Sequence, residues 1–234
     1  MKIKKQGDNA ASAPQRANLV IIGTSGHAKV VYETFVLALA KKYKLAGLIT
    51  SDRISSFLDM PVLGSEKDAE KIFKKYKITH AFVAIGAGFS RERLSIELLA
   101  KNRIRAVNII HPGAIIARNI KMGAGNFIGP GAIINPYASI GDHCLINSGA
   151  IVEHDCVIDD FATLSPGVIL GGKSVIGKRS FIGLGANIIH KIRIGEDAVI
   201  GASAVVVSDI QARSVAAGCP AKVFKKRKID EVYL

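Results

Sequence analysis

The chain has 234 residues, 49% hydrophobic and 6% aromatic, with 23 glycines, which suits one large or two modest domains built from small, tightly stacked elements. The formal net charge of +13 admits nucleic acid or small polyanions as partners. With no nucleic-acid motif and no aromatics among the basic residues, solvated lysine-rich faces account for most of it, and nucleotide-sugars and coenzyme A are the polyanions to consider.

Met1–Ala17 carries lysines with no hydrophobic segment before Leu19. It reads as a mobile polar tail rather than a secretory signal. No apolar run approaches the ~18 residues of a membrane span. From Leu19 the pattern is α/β. Leu19–Ile22 reads as a buried strand running into Gly23-Thr-Ser-Gly26-His27, and a helix follows over about Ala28–Lys42. Leu45–Ile49 reads as a second strand ending at Ser51-Asp52, Lys67–Tyr76 as a helix and His80–Ile85 as a third strand ending at Gly86. Arg91–Asn102 reads as another helix and Ala106–Ile109 as a last strand. This alternation predicts a small parallel sheet with helices on both faces. Its boundary falls near Asn108–Pro112, giving a first domain of 18–107 and a second of 108–234.

The second domain is a repeat. Every sixth residue from Ile110 to Val206 is aliphatic or Met, without a break, through Ile116, Met122, Ile128, Ile134 and onward. A column two residues earlier is mostly small, as at Ala132, Ala138, Cys144, Ala150, Cys156 and Ala162. Gly often follows the aliphatic position, as at Gly123, Gly129, Gly177 and Gly183. Six is not a multiple of 3.6, so a helix is excluded. Each hexad instead reads as a short strand plus a corner: the aliphatic residue fills the interior, the small one leaves it room, and Gly is expected to permit the backbone turn. Three hexads close a triangular coil of eighteen residues, so residues eighteen apart stack.

The three cysteines, Cys144, Cys156 and Cys219, form no Cys-x-x-Cys pair and are odd in number. Neither a disulfide framework nor a zinc knuckle is indicated, and a cytoplasmic location is expected. Cys144 and Cys156 sit in the small-residue column as core fillers. His154 and His190, thirty-six residues apart, share one face of the prism, but the third ligand of a β-helix zinc site is missing. No metal is expected.

Three features together carry a resemblance: the Gly-x-Ser-Gly-His loop in the α/β domain, uninterrupted hexads with Glu153-His154-Asp155-Cys156, and the closing Gly218-Cys-Pro220-Ala221-Lys222. From about Leu19 to Arg227 the chain resembles the bacterial nucleotide-sugar acetyltransferases of the hexapeptide-repeat superfamily. That group includes the sialic-acid O-acetyltransferase-like proteins and the N-acetyltransferases of UDP- or GDP-linked amino sugars. The resemblance implies a Rossmann-like first domain, a left-handed parallel β-helix and a homotrimer with acetyl-CoA between neighbouring prisms.

The chemistry centres on His154. Acetyl transfer to an amine needs a base near neutral pH, which histidine supplies, and an adjacent acid can fix its tautomer. Glu153 and Asp155 both flank it. Regular strand alternation would turn them to the opposite face, so a corner is required. The resemblance implies His154 as the base and Asp155 as its partner. It also implies acetyl-CoA contacts at Thr163, Gly172, Leu184, Ala202 and Lys222. Thr163 departs from the family, which commonly has a second His there, within a context preserved as Phe161-Ala-Thr-Leu-Ser165-Pro-Gly167. Asn147 matches a family position beside the catalytic His, suited to binding the sugar or orienting His154.

The loop Gly23, Ser25, Gly26 and His27 opens a helix, where backbone N–H groups suit phosphate. It is not a full dinucleotide fingerprint, which would need Gly at Ser25 and Ala28. With the resemblance it is expected to hold the nucleotide-sugar, with Lys29, Asp52 and Arg91 as further contacts. Lys222, Lys225 and Lys226, in a segment that resembles the family's cap, are the cations expected to meet the 3′-phosphate of coenzyme A. The leading expectation is an acetyl-CoA-dependent N-acetyltransferase of a nucleotide-linked amino-deoxy sugar, with no nucleic-acid partner and no membrane insertion. An O-acetyltransferase of a sialic-acid-like sugar is the alternative enzyme. A non-catalytic trimeric nucleotide-sugar-binding scaffold is the alternative outside enzymes.

Overall fold

A computed structural model describes residues 16–231; the expected tail over 1–15 lies outside them. The first domain is a six-stranded sheet of order β3-β4-β2-β1-β5-β6. Its strands are β1 (Ala17–Ile22), β2 (Tyr43–Ile49), β3 (Ser56–Phe57), β4 (Met60–Gly64), β5 (Ile78–Val83) and β6 (Arg105–Ala106). The helices are α1 (Gly26–Leu39), α2 (Ala69–Lys75) and α3 (Gly88–Leu94), the last continued by a wider helical turn over Ser95–Ala100. All pairs are parallel except β3 with β4. That hairpin carries no glycine at its tip: Leu58 and Asp59 take positive φ instead, so the glycine signal of a tight turn is missing from the sequence. Leu19, Val20, Ile21 and Ile22 are fully buried because helices cover both faces of β1.

The seventeen column residues each close a two-residue strand, β7 to β23 in chain order, from Ile109–Ile110 to Val205–Val206. Every strand pairs in parallel with the one eighteen residues on, as in Phe127↔Leu145↔Thr163↔Phe181↔Val199. Three sheets result. The first face of the prism carries strands at 109, 127, 145, 163, 181 and 199. The second carries those at 115, 133, 151, 169, 187 and 205, and the third those at 121, 139, 157, 175 and 193. The interior is aliphatic, with Cys144 and Cys156 in it. Polar members of the small column are satisfied by carbonyls fifteen residues on: Ser174 Oγ donates to Ile189 O and Ser180 Oγ to Gly195 O. A hairpin, β24 (Ser214–Gly218) and β25 (Ala221–Lys226), ends the first face.

The expected role of the glycines is corrected. The left-handed residue of each corner stands three positions after the aliphatic one, without exception from Gly125 to Ser203, and nine of the fourteen are not glycine, among them Tyr137, His143, Asp155, Phe161 and Arg179. The glycine directly after the aliphatic residue serves close approach. A β-carbon at Gly129 would lie 2.7 Å from Ser148 N, and one at Gly183 would lie 2.7 Å from Ala202 N. Those atoms belong to the next coil, so the small residue is required by coil stacking rather than by φ.

The first domain sits on the first face of the prism. Outward residues Ile109, Phe127 and Leu145 are buried in one cluster with Leu19, Val31, Phe35 and Phe82. This contact fixes the loops after β1 and β5 against the coils. No helix among the described residues is long and apolar enough to cross a membrane.

Candidate active site

His154 stands at the edge between the second and third faces, just after the strand Ile151–Val152. Asp155 takes φ +59°, a conformation that Asp tolerates better than most residues. This is the corner the sequence required. It turns the carboxylate back, so that Nδ1 of His154 lies 2.8 Å from Asp155 Oδ2. The two side chains are 56% and 43% exposed, so the pair is open to a ligand. An ionised carboxylate only accepts, which assigns the proton to Nδ1 and leaves the lone pair on Nε2. Gly172 lies one coil further along, beneath the ring.

The loop after β1 begins at Gly23, with φ +104° and no room for a β-carbon, which would stand 2.7 Å from Ile85 Cδ1. Ser25, Gly26 and Lys29 are exposed at the start of α1, where Ser25 is the N-cap without a side-chain bond. Asp52 accepts from Thr24 Oγ1, which also lies 3.0 Å from Thr50 Oγ1. The ends of β1 and β2 are thereby tied together. Thr24 is a member of this loop that the sequence pattern did not single out. With β2 on one side of β1 and β5 on the other, β1 and β5 form the switch point where open α/β sheets bind ligands. His27 faces Phe127 edge-on at 5.0 Å. Burial, and then Arg91, push its pKa down to about 4, and its Nε2 is buried without a hydrogen-bond partner among the described residues.

Two expectations are corrected here. Arg91 is fully buried. Its guanidinium donates to Ile85 O (2.6 Å) and Gly86 O (2.7 Å) in its own domain. Across the junction it donates to His143 O (2.8 Å), Phe161 O (2.6 Å) and Thr163 Oγ1 (3.0 Å). It joins the two domains instead of meeting phosphate. Thr163 is 4% exposed and sits 3.4 Å from Gly86 O, so its hydroxyl faces the domain junction and not a coenzyme. Asn147 Nδ2 donates to Leu164 O at 2.8 Å. It stands at the edge between the first and second faces, one face away from His154, and does not orient that ring within one chain. Leu184 and Ala202 are exposed on the same edge as Asn147, whereas Gly172 shares the His154 edge. Lys222 is exposed on β25.

A second junction went unread in the sequence. Arg179 is 9% exposed, donates to Asp197 through Nε (2.8 Å) and Nη2 (2.7 Å) and to Glu92 through Nη1 (2.8 Å). Arg179 and Asp197 are eighteen apart, so coil spacing alone predicts that they stack. His143 stacks flat on Phe161 at 5.1 Å; burial, and then Arg91, lower its pKa to about 4. Among the described residues no cluster of three or more His, Cys, Asp or Glu is placed to hold a metal.

The family described as PglD N-terminal domain matches residues 18–98, and bacterial transferase hexapeptide (six repeats) matches 137–172. Perosamine N-acetyltransferase from Caulobacter crescentus, solved with CoA and GDP-perosamine, is 33% identical; the match covers 90% of this chain and 98% of that one, with a TM-score of 0.85. The acetyltransferase domain of PglB from Neisseria gonorrhoeae, solved with acetyl coenzyme A, is 28% identical over 90% of this chain and 100% of that one, at TM-score 0.83. WeeI from Acinetobacter baumannii is 26% identical over 89% and 100%, at 0.78. Among curated proteins compared by sequence, none matches. With a third of its residues shared with a structure that it matches along nearly its full length, the chain belongs to the nucleotide-sugar acetyltransferases of the hexapeptide-repeat superfamily.

Proposed function

We propose that this chain transfers the acetyl group of acetyl-CoA to the amine of a nucleotide-linked amino-deoxy sugar, with His154 as the general base. The observation that carries the assignment is the exposed His154–Asp155 pair. Nε2 takes the proton as the amine nitrogen attacks the thioester carbonyl. The tetrahedral intermediate then collapses, the C–S bond breaks, and the imidazolium returns the proton to the departing thiolate. Asp155 stabilises the imidazolium while it lasts. Backbone N–H groups of the coils are the donors proposed for the oxyanion. Residues 18–107 hold the nucleotide-sugar through Gly23, Ser25, Gly26, His27, Lys29 and Asp52, and residues 108–234 supply the acetyl-transfer site. GDP-perosamine in the Caulobacter enzyme supports this class of acceptor.

A homotrimer belongs to the same reading. Outward residues of the second face form an aliphatic column, with Ile115 64% and Ile169 40% exposed and Ile133 and Ile151 between them. An apolar face of this kind favours a partner. A second copy packed there brings its Asn147, Leu184 and Ala202 edge beside this chain's His154 and Gly172 edge, and neither edge is complete alone. The cytoplasm, where acetyl-CoA is made, is the proposed compartment.

The test is turnover of acetyl-CoA with a panel of UDP- and GDP-linked amino sugars by wild type and His154→Ala. Product formation lost in the variant supports the base. Undiminished turnover removes it.

A further inference from the structure

His154 lies against Gly172, eighteen residues further along and one coil away. A β-carbon at Gly172 would stand 2.6 Å from Nε2, 2.8 Å from Cε1 and 3.2 Å from Cδ2 of the imidazole. No backbone atom is among these nearest neighbours. Gly172 is also absent from the positive-φ positions, so its backbone conformation accepts any L residue. What excludes a side chain here is the ring of His154. The adjacent glycine behaves differently: a β-carbon at Gly171 would stand 2.5 Å from His190 N and 2.8 Å from Ile189 C, both backbone of the following coil. A substitution at Gly171 must displace a coil, whereas one at Gly172 need only displace an imidazole.

We propose that Gly172 is a positioning residue for His154: its bare α-carbon is the seat on which the imidazole lies, with Nδ1 against Asp155 and Nε2 open. This rests on the reading of His154 as the base. A contact of 2.6 Å between carbon and nitrogen cannot persist. The half-exposed ring has solvent to turn into, so it is the ring that yields. Turning carries Nδ1 away from Asp155 and Nε2 away from the position where the amine is held. Misplacement of a catalytic group by ~1 Å costs on the order of 100-fold in rate. The nucleotide-sugar loop at Gly23–His27 belongs to the other domain and is untouched.

The experiment compares full-length wild type, Gly172→Ala, His154→Ala and the double variant, with acetyl-CoA and GDP-perosamine as probes. Gly172→Ala is expected to lower kcat roughly 10- to 100-fold with KM for the nucleotide-sugar within about twofold. The double variant is expected to be no slower than His154→Ala alone. Full kcat in Gly172→Ala, or losses that multiply in the double variant, overturn the inference while leaving the base intact. Undiminished turnover in His154→Ala overturns the base instead.

A readout without substrate accompanies these assays. With histidines labelled at Cε1, the His154 resonance is expected to shift in Gly172→Ala, together with its titration midpoint. An unchanged resonance and midpoint overturn the proposal. Should Gly172→Ala fail to fold, adding His154→Ala must restore the wild-type melting temperature, because it removes the clashing ring. Failure to restore it overturns the proposal too.

Discussion

The same corner serves opposite ends on two edges of one prism. On the edge between the third and first faces the left-handed positions are Gly125, His143, Phe161, Arg179 and Asp197. The first domain covers this edge, and His143 and Arg179 are spent on holding the two domains together. On the edge between the second and third faces they are Tyr137, Asp155, Lys173 and Lys191. None of the described residues covers that edge, and its histidines, His154 and His190, stay open. The coil dictates where a side chain stands, and what packs over the coil dictates whether it is a strut or a reagent. His143 and His154 both have a carboxylate nearby, yet burial, and then Arg91, push the pKa of His143 down to about 4, whereas the His154 ring is half-exposed.

Four measurements sharpen or break this contrast. The largest effect belongs to the open edge. His154→Ala is expected to lower kcat by about 10²–10⁴ while the melting temperature stays near that of wild type, because an exposed side chain contributes little to stability. A comparable drop in melting temperature would mean that this edge too is structural. The buried edge answers in the opposite currency. Arg91→Ala takes the guanidinium donors away from the carbonyls of Ile85, Gly86, His143 and Phe161, and is expected to cost on the order of 3–5 kcal/mol in denaturant unfolding. Arg91→Lys is expected to recover only part of this, since an ammonium cannot span the same carbonyls.

Acid is expected to act on the junction before it acts on the coils. His27 and His143 are held neutral, with pKa values about 4 against ~6.5 for the unfolded chain. Their contribution is complete above pH 6.5 and is lost as pH falls from there toward 4, because the unfolded chain then binds more protons. Scanning calorimetry from pH 7.5 to 4.5 should show the melting temperature falling by at least roughly 5 °C. His143→Phe should flatten that slope, and a slope unchanged in the variant would detach the effect from His143. The smallest effect concerns the cap. Lys222→Ala is expected to raise KM for acetyl-CoA two- to fivefold at low salt, the scale of an exposed ion pair, and to leave kcat alone. No change in KM would return Lys222 to the solvated basic face.

Much of this fold was legible in the chain. The hexad column reads out directly because one residue in six must fill a closed interior, and every column residue from Ile110 to Val206 closes a strand. The corner glycines misled because φ and close approach both select for glycine. The sequence offers no means of separating them until the coil above Gly129 or Gly183 is in view. Arg91 misled for a different reason. It follows a parallel strand, where phosphate ligands gather, but its partners lie 52 to 72 residues away. A signal for that junction was present: the residues preceding the column at Ile109, Phe127 and Leu145 are apolar at coil spacing, an outward stripe that solvent alone would not favour. His154 and Asp155 were legible as a pair, while the left-handed turn that joins them was inferred only as a need.

Coil pairing at eighteen residues also sets a rule for length. Deleting or adding six residues between Leu164 and Ser174 would keep every hexad intact yet advance all later residues by one face. The cap would then close a different sheet, and Arg179 would leave the edge where Glu92 waits for it. Whole coils are the unit in which this prism can grow or shrink and still carry a strut on one edge and a reagent on another.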